Sequence, residues 1–353
     1  MVGKSLFKLI PYLNRDKVDN RILYLNEKIL FPLAGFIFFG NILFISNTFL
    51  PIDNLIVNLI VILLILPALT EIKNFKNYLN FKIFTFKLLF YYLIIPSILV
   101  ISTFDIGYNY DAGFYHLLHQ NWLRNSNLII GMVNIFWPFG MSSIYEYVSA
   151  FLWFDTSFVL LHFMNLFFIH FFYLFLTENL VESKNKYLIN SSFFVLIFSL
   201  LDNFGYGGGR NGFLYIQGVT KQDVTVGILF FFLSLIMLLK IKDLNITNQE
   251  LVLLSFVLFF MYQIKVSGVL IVYLYVILLV NQILKKRHTI FDIIKLNLPV
   301  LTLAFIWVLK SIYTTGCVIY PVNFTCLDIF DWYINGSTIS FEGITKHASL
   351  AYD

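Results

Sequence analysis

Charge is what this chain has least of. Only 12% of its 353 residues are Asp, Glu, Lys or Arg, against about a quarter in soluble domains. Most of its surface must therefore face something other than water. Cysteines number two, and with no histidine pair beside them they make a poor zinc set. There is no basic face. The formal charge of +4 comes from lysines and arginines spread among short loops, which excludes a nucleic-acid partner. No internal repeat is visible, and no cleavable signal peptide: the first apolar run begins near residue 29, behind a polar, basic stretch, so it reads as a retained span.

Apolar residues fill the space that charge leaves. They make up 59% of the chain, and the mean hydropathy is +0.80. Repeated apolar runs of about 17–25 residues are each long enough to cross a hydrocarbon core of roughly 30 Å. The expected fold is all-α: a polytopic helical membrane protein with about nine membrane-embedded segments between residues 29 and 313. Residues 1–28 are expected to form a cytosolic amphipathic tail on the membrane surface. Two polar stretches, 104–145 and 202–223, are expected as loops on the other side, joined there by the segment 314–353. The basic residues support this orientation. With the N-terminus inside, only Arg124, Arg210, Lys221, Lys265, Lys310 and Lys346 fall on the outer side, out of 24 lysines and arginines.

The stretch 104–145 is the first long segment that could not sit in lipid, and it carries most of the candidate chemistry. From Asp111 onward it reads as an amphipathic helix with an aspartate at its start, where free amides and the helix dipole favour an anion. Spacing of i, i+4 would place Asp111, Tyr115 and His119 on one face. A carboxylate there can act as general base toward an acceptor hydroxyl, or simply cap the helix. Asp105 is a second candidate base, with a solvated helix end as its plainer reading. His116 and His119 have the spacing of metal ligands, but no carboxylate or cysteine completes a set in that helix. A hydrogen bond to a phosphate or to Asp111 fits them better. Trp122 could stack on a sugar or sit in the interfacial aromatic belt. Lys265, between two apolar runs, is costly unless paired or wetted; it suits a phosphate, or could snorkel to headgroups. Arg210, after the Gly207–Gly209 run, is a weaker phosphate candidate. On an oxidising face, Cys317 and Cys326 are close enough in sequence to form a disulfide, with two unpaired thiols as the alternative.

Several pieces carry a family resemblance. Tyr110-Asp111-Ala112-Gly113-Phe114-Tyr115-His116, then Trp122, Gly131 to Asn134 and Phe139 to Ser143 resemble a group of bacterial polytopic membrane proteins found with surface-polysaccharide genes. So do Ile264-Lys265-Val266-Ser267 and the ending from Thr315 through Cys317, Pro321 and Cys326 to Trp332. These proteins are similar to GT-C-type glycosyltransferases, which use polyprenyl-phosphate-linked sugars on the extracytoplasmic face. The resemblance implies an acidic base in the first large outer loop, a position that Asp111 matches, with Asp105 in reserve. Two departures stand out: the loop follows the third apolar run rather than the first, and relatives usually continue through further spans after the cysteine pair, which implies that the chain is part of a longer protein.

The leading expectation is a glycosyltransferase of the bacterial inner membrane. It would move a sugar from a polyprenyl-phosphate donor to a cell-envelope glycan or lipid-linked acceptor. Asp111 would act as base, His116 or His119 would orient the acceptor, and Lys265 with Arg210 would hold the donor phosphate without an obligatory metal. Its partners would be membrane lipid, the lipid-linked sugar, the acceptor and other polysaccharide-assembly proteins. The alternatives are an O-antigen-type polymerase, against which the sparse arginines count, and a lipid-oligosaccharide flippase or other transporter, which would usually show two related halves.

Overall fold

The structure, a computed structural model, describes residues 21–69, 89–101, 108, 110–155, 157–203, 221–243 and 246–350. Most of the expected tail, the lysine-rich connector 70–88, Asp105 and the glycine-rich loop with Arg210 lie outside the described residues. Among the described residues the fold is helical, apart from one short hairpin. Its strands β1 (Arg21–Ile22) and β2 (Leu25–Asn26) pair antiparallel.

The hairpin leads into α1 (Glu27–Asn47) and α2 (Leu55–Leu69). A π-helical turn (Phe90–Ile94) continues into α3 (Ile95–Ile101). The polar stretch holds α4 (Leu117–Asn125), and α5 (Ile144–Phe151) follows it. Next come α6 (His162–Glu182), α7 (Lys186–Asn203), α8 (Asp223–Asp243) and α9 (Asn248–Ile264). The last three are α10 (Val272–Leu284), α11 (Ile290–Thr315) and α12 (Asn335–Leu350).

Among the described residues, five helical segments are long and apolar enough to cross a membrane: Ile29–Asn47, Val159–Glu182, Asp223–Asp243, Val266–Leu284 and Ile290–Thr315. The chain is thus a helical membrane protein. A helix that is apolar on every side belongs in a core or in lipid, and both cases occur here. Helix α9, too short for a full crossing at 17 residues, is the core: it packs against α1, α5, α8 and α11. Every residue from Glu250 to Ile264 except Tyr262 is buried. Helices α10 and α11 instead leave Tyr273, Val276, Leu298, Leu301 and Phe305 on the outside, as lipid-facing helices do.

Local signals set the helix ends. Capping boxes start α9 (Thr247 with Glu250) and α11 (Thr289 with Asp292), each satisfying two otherwise orphaned amides. Gly316 ends α11 with φ +77°, a left-handed conformation that disfavours any side chain. A Cβ there would also lie 2.5 Å from the Tyr333 ring. Gly316→Ala is therefore expected to cost about 3 kcal/mol from backbone strain and overpacking together, seen as a lowered midpoint in thermal unfolding of the detergent-solubilised protein.

The two ends of the bundle differ. At one end the hairpin is buried, with Leu23 and Leu25 fully covered. Glu250 accepts from the Leu23 amide at 2.9 Å and pairs with Lys240 at 2.7 Å. Lys285, Lys286 and Arg287 lie at this end, after α10. The other end gathers the C-termini of α1, α9 and α11, the N-termini of α8 and α10, and the polar stretch. Asn47, at the end of α1, donates to the carbonyls of Leu123 and Ser126. Arg124 bonds Ala150 and Asp53 at 2.8 and 2.9 Å, which ties the stretch down.

Candidate functional site

The polar stretch does not run as a regular helix from Asp111. Residues Ala112–His116 form a π-helical turn before α4 begins. A π turn closes i→i+5 rather than i→i+4 hydrogen bonds, so it rotates the residues on its C-terminal side. This corrects the expected single face of Asp111, Tyr115 and His119. Asp111 and Tyr115 face an open cavity, while His119 turns inward beside His116. Asp111 makes no capping hydrogen bond; its carboxylate pairs with Lys221 at 2.6 Å.

The inward turn delivers both imidazoles to one carboxylate. Glu146, on α5, is 2% exposed. Its Oε1 meets His116 Nδ1 at 2.6 Å, and its Oε2 meets His119 Nδ1. Burial alone pushes the Glu146 carboxyl up, but the attraction of His119 and the hydrogen bonds from both rings outweigh it and hold the group at about 2. Among the described residues no three His, Cys, Asp or Glu side chains are placed to hold a metal ion.

The cavity itself measures about 400 Å³. Asp111, Tyr115 and His116 form one wall; Lys221 and Asp223, at the start of α8, form another. Lys265 closes it from the end of α9, and Trp307 with Lys310 from α11. Lys265 pairs with Asp223, so two of the three lysines already have a carboxylate. Lys310 does not: it is 6% exposed and has no ion pair among the described residues. Its Nζ sits 4.9 Å from the Trp307 ring centroid and 5.9 Å from that of Tyr147. An ammonium held, among the described residues, only by ring faces and by the field of the Glu146 carboxylate is costly in such a wall, and its N–H donors can be offered to an anion. Burial and the neighbouring Asp111 carboxylate raise the Tyr115 phenol, so that hydroxyl serves as a neutral hydrogen-bonding group.

The C-terminal segment roofs the cavity. Cys317 and Cys326 are joined by a disulfide, and Val318 to Val322 between them line the cavity. Tyr320 lies so close to Gly140 that a Cβ there would come within 2.6 Å of the ring. Asn134 donates to the Trp332 carbonyl at 2.9 Å. Motifs almost 200 residues apart are thus in direct contact.

Asp111, Tyr115, His116 and Lys265 come together on one cavity. His119 and Trp122 do not join them; they line a small adjoining space of about 10 Å³ that Lys310 also borders. Sequence reasoning misses Glu146, Lys310, Lys221 and Asp223 as site residues. For Lys310 a signal exists: an ionisable residue inside an apolar span is a functional candidate by default. For Glu146, the only acid in α5, no local signal marks its two histidine partners.

No curated protein and no solved structure matches the chain. A family model matches residues 18–350, nearly its whole length, and the chain therefore belongs to the family described as Domain of unknown function (DUF8201).

Proposed function

We propose that the protein is a membrane glycosyltransferase acting on a polyprenyl-phosphate-linked sugar, with the 400 Å³ cavity as its active site. The observation that carries this reading is Lys310, a buried cation without an ion pair among the described residues, in the wall of a cavity that also offers acid–base groups. A phosphate monoester or diester supplies the missing charge, and its leaving as a stable anion is favoured by fixed positive charge aimed at it. Lys265 and Lys221, each held in place by an aspartate, keep further N–H donors for the same phosphate. Asp111 and His116 are the groups able to take a proton from an acceptor hydroxyl.

The finer topology belongs to the same proposal: a GT-C-like bundle of about nine membrane-embedded segments in a bacterial inner membrane, N-terminus inside, with the cavity opening outward. Lys285, Lys286 and Arg287, at the opposite end, support that orientation. The test is the lipid-linked glycan pool of cells lacking the protein. Glycans short of one sugar are expected. Accumulated single repeat units, or complete units retained on the inner leaflet, would overturn the reading in favour of a polymerase or a flippase.

A further inference from the structure

We propose that His116, held in one tautomer by Glu146, is the group that removes the acceptor's proton in this cavity, and that Glu146 is a positioning residue. The proposal rests on the transferase reading and deepens it.

A carboxylate can only accept hydrogen bonds, so each imidazole nitrogen touching Glu146 must carry the proton. Both contacts are made by Nδ1. In a neutral ring with Nδ1 protonated, Nε2 keeps its lone pair and is a proton acceptor. His116 forms part of the cavity wall, so Nε2 is the basic atom this ring brings to the site. Glu146 is buried between the two rings, where low dielectric strengthens its stabilisation of an imidazolium as it forms. This is the division of labour by which a buried carboxylate orients a histidine base.

Asp111 lies on the same wall but in a different state. Its carboxylate is engaged by the Lys221 ammonium at 2.6 Å, which occupies an oxygen that an acceptor hydroxyl would need. Asp111 therefore serves chiefly to place Lys221. The second histidine, His119, occupies the remaining oxygen of Glu146 and stacks on Phe139, with centroids 5.4 Å apart. That arrangement fixes the carboxylate from the side away from the cavity.

In the step itself the acceptor O–H bond breaks and its proton passes to His116 Nε2. The acceptor oxygen bonds the anomeric carbon, the bond from that carbon to the phosphate oxygen breaks, and its electron pair leaves on the polyprenyl phosphate. The proton departs from His116 to solvent in the outward-facing cavity. The charged and titratable groups around His116 are Glu146 from α5, Asp111, Tyr115 and His119 from its own segment, Lys221 and Asp223 from the start of α8, Lys265 from the end of α9 and Lys310 from α11.

The experiment uses the full chain in lipid nanodiscs, given the lipid-linked sugars extracted from cells lacking the protein, with the glycan acceptor fraction of the same cells. Released polyprenyl phosphate reports turnover, and retention of polyprenyl phosphate reports binding. His116→Gln is expected to lower turnover at least 100-fold with binding unchanged. Glu146→Gln, which keeps shape and loses charge, is expected to lower turnover roughly 30-fold and to move the acidic limb of the pH–rate profile to lower pH, because the imidazolium is no longer stabilised. Asp111→Asn is expected to weaken retention more than it slows turnover at saturating donor. An unmoved acidic limb in Glu146→Gln, or full turnover in His116→Gln, would overturn the proposal while the transferase reading stood. A wild-type protein that neither binds polyprenyl phosphate nor releases it would overturn the transferase reading instead.

Discussion

Lys310→Met is expected to abolish tight anion binding and at the same time to raise the stability of the fold. The two effects have one cause. The Lys310 ammonium is 6% exposed, borders the cavity and has no carboxylate within ion-pairing distance among the described residues. Methionine has a similar length and volume and carries no charge. Exchanging an unpaired buried charge for an apolar side chain removes a desolvation penalty of several kcal/mol, of which the Trp307 and Tyr147 rings now offset a part. The thermal midpoint should rise by a few degrees. Retention of polyprenyl phosphate should fall at least 100-fold, since a charge-assisted hydrogen bond in a desolvated site contributes about 3 kcal/mol. Polyprenol, which lacks the phosphate, should bind both forms equally. A variant that lost stability and kept its phosphate affinity would show that Lys310 serves the fold alone. A gain in stability with a loss of binding is the pattern expected where function is maintained at the expense of the fold.

How far the sequence foretells this site depends on the range of the interactions involved. The helical membrane class is legible because a span needs a sustained apolar run, and such a run needs no partner to be recognised. The meeting of Asp111 with Lys265 on one cavity is expected only through their shared side of the membrane, which topology fixes without any knowledge of packing. The details that packing decides are not legible. The π turn at Ala112–His116 shifts the register of the two histidines, and regular i, i+4 spacing assigns His119 to the wrong face. Glu146 sits 30 residues after His116, on a helix whose other residues are uncharged, and nothing within that helix announces a pair of buried imidazoles. Lys310 is visible as a charge near the end of a span; its lack of an ion pair among the described residues is a product of packing alone. The contact of Gly140 with Tyr320 joins two motifs that the sequence presents separately, far apart along the chain.

Glu146→Ala is expected to cause the largest loss of stability of any single substitution in the site. The carboxylate receives His116 at 2.6 Å and His119 on its second oxygen, and all three side chains are buried. Alanine leaves two imidazole N–H groups without an acceptor and opens a cavity between them. Leaving a buried donor without its acceptor costs about 1–3 kcal/mol, and here two are left together. Glu146→Gln should cost much less, because its amide oxygen still accepts from one ring. The pH dependence has a definite sign. The folded carboxyl is held at about 2, below the ordinary value of 4.5, so its contribution is fully present above the ordinary value and lost as pH falls from there toward 2. Integrated over that window it amounts to about 3 kcal/mol. Thermal unfolding in detergent, followed between pH 6 and 3, should therefore show the wild-type midpoint falling toward that of Glu146→Ala as acid is added, with the difference between them narrowing. A constant difference across that range would mean that Glu146 stabilises the bundle through its volume and not through its charge.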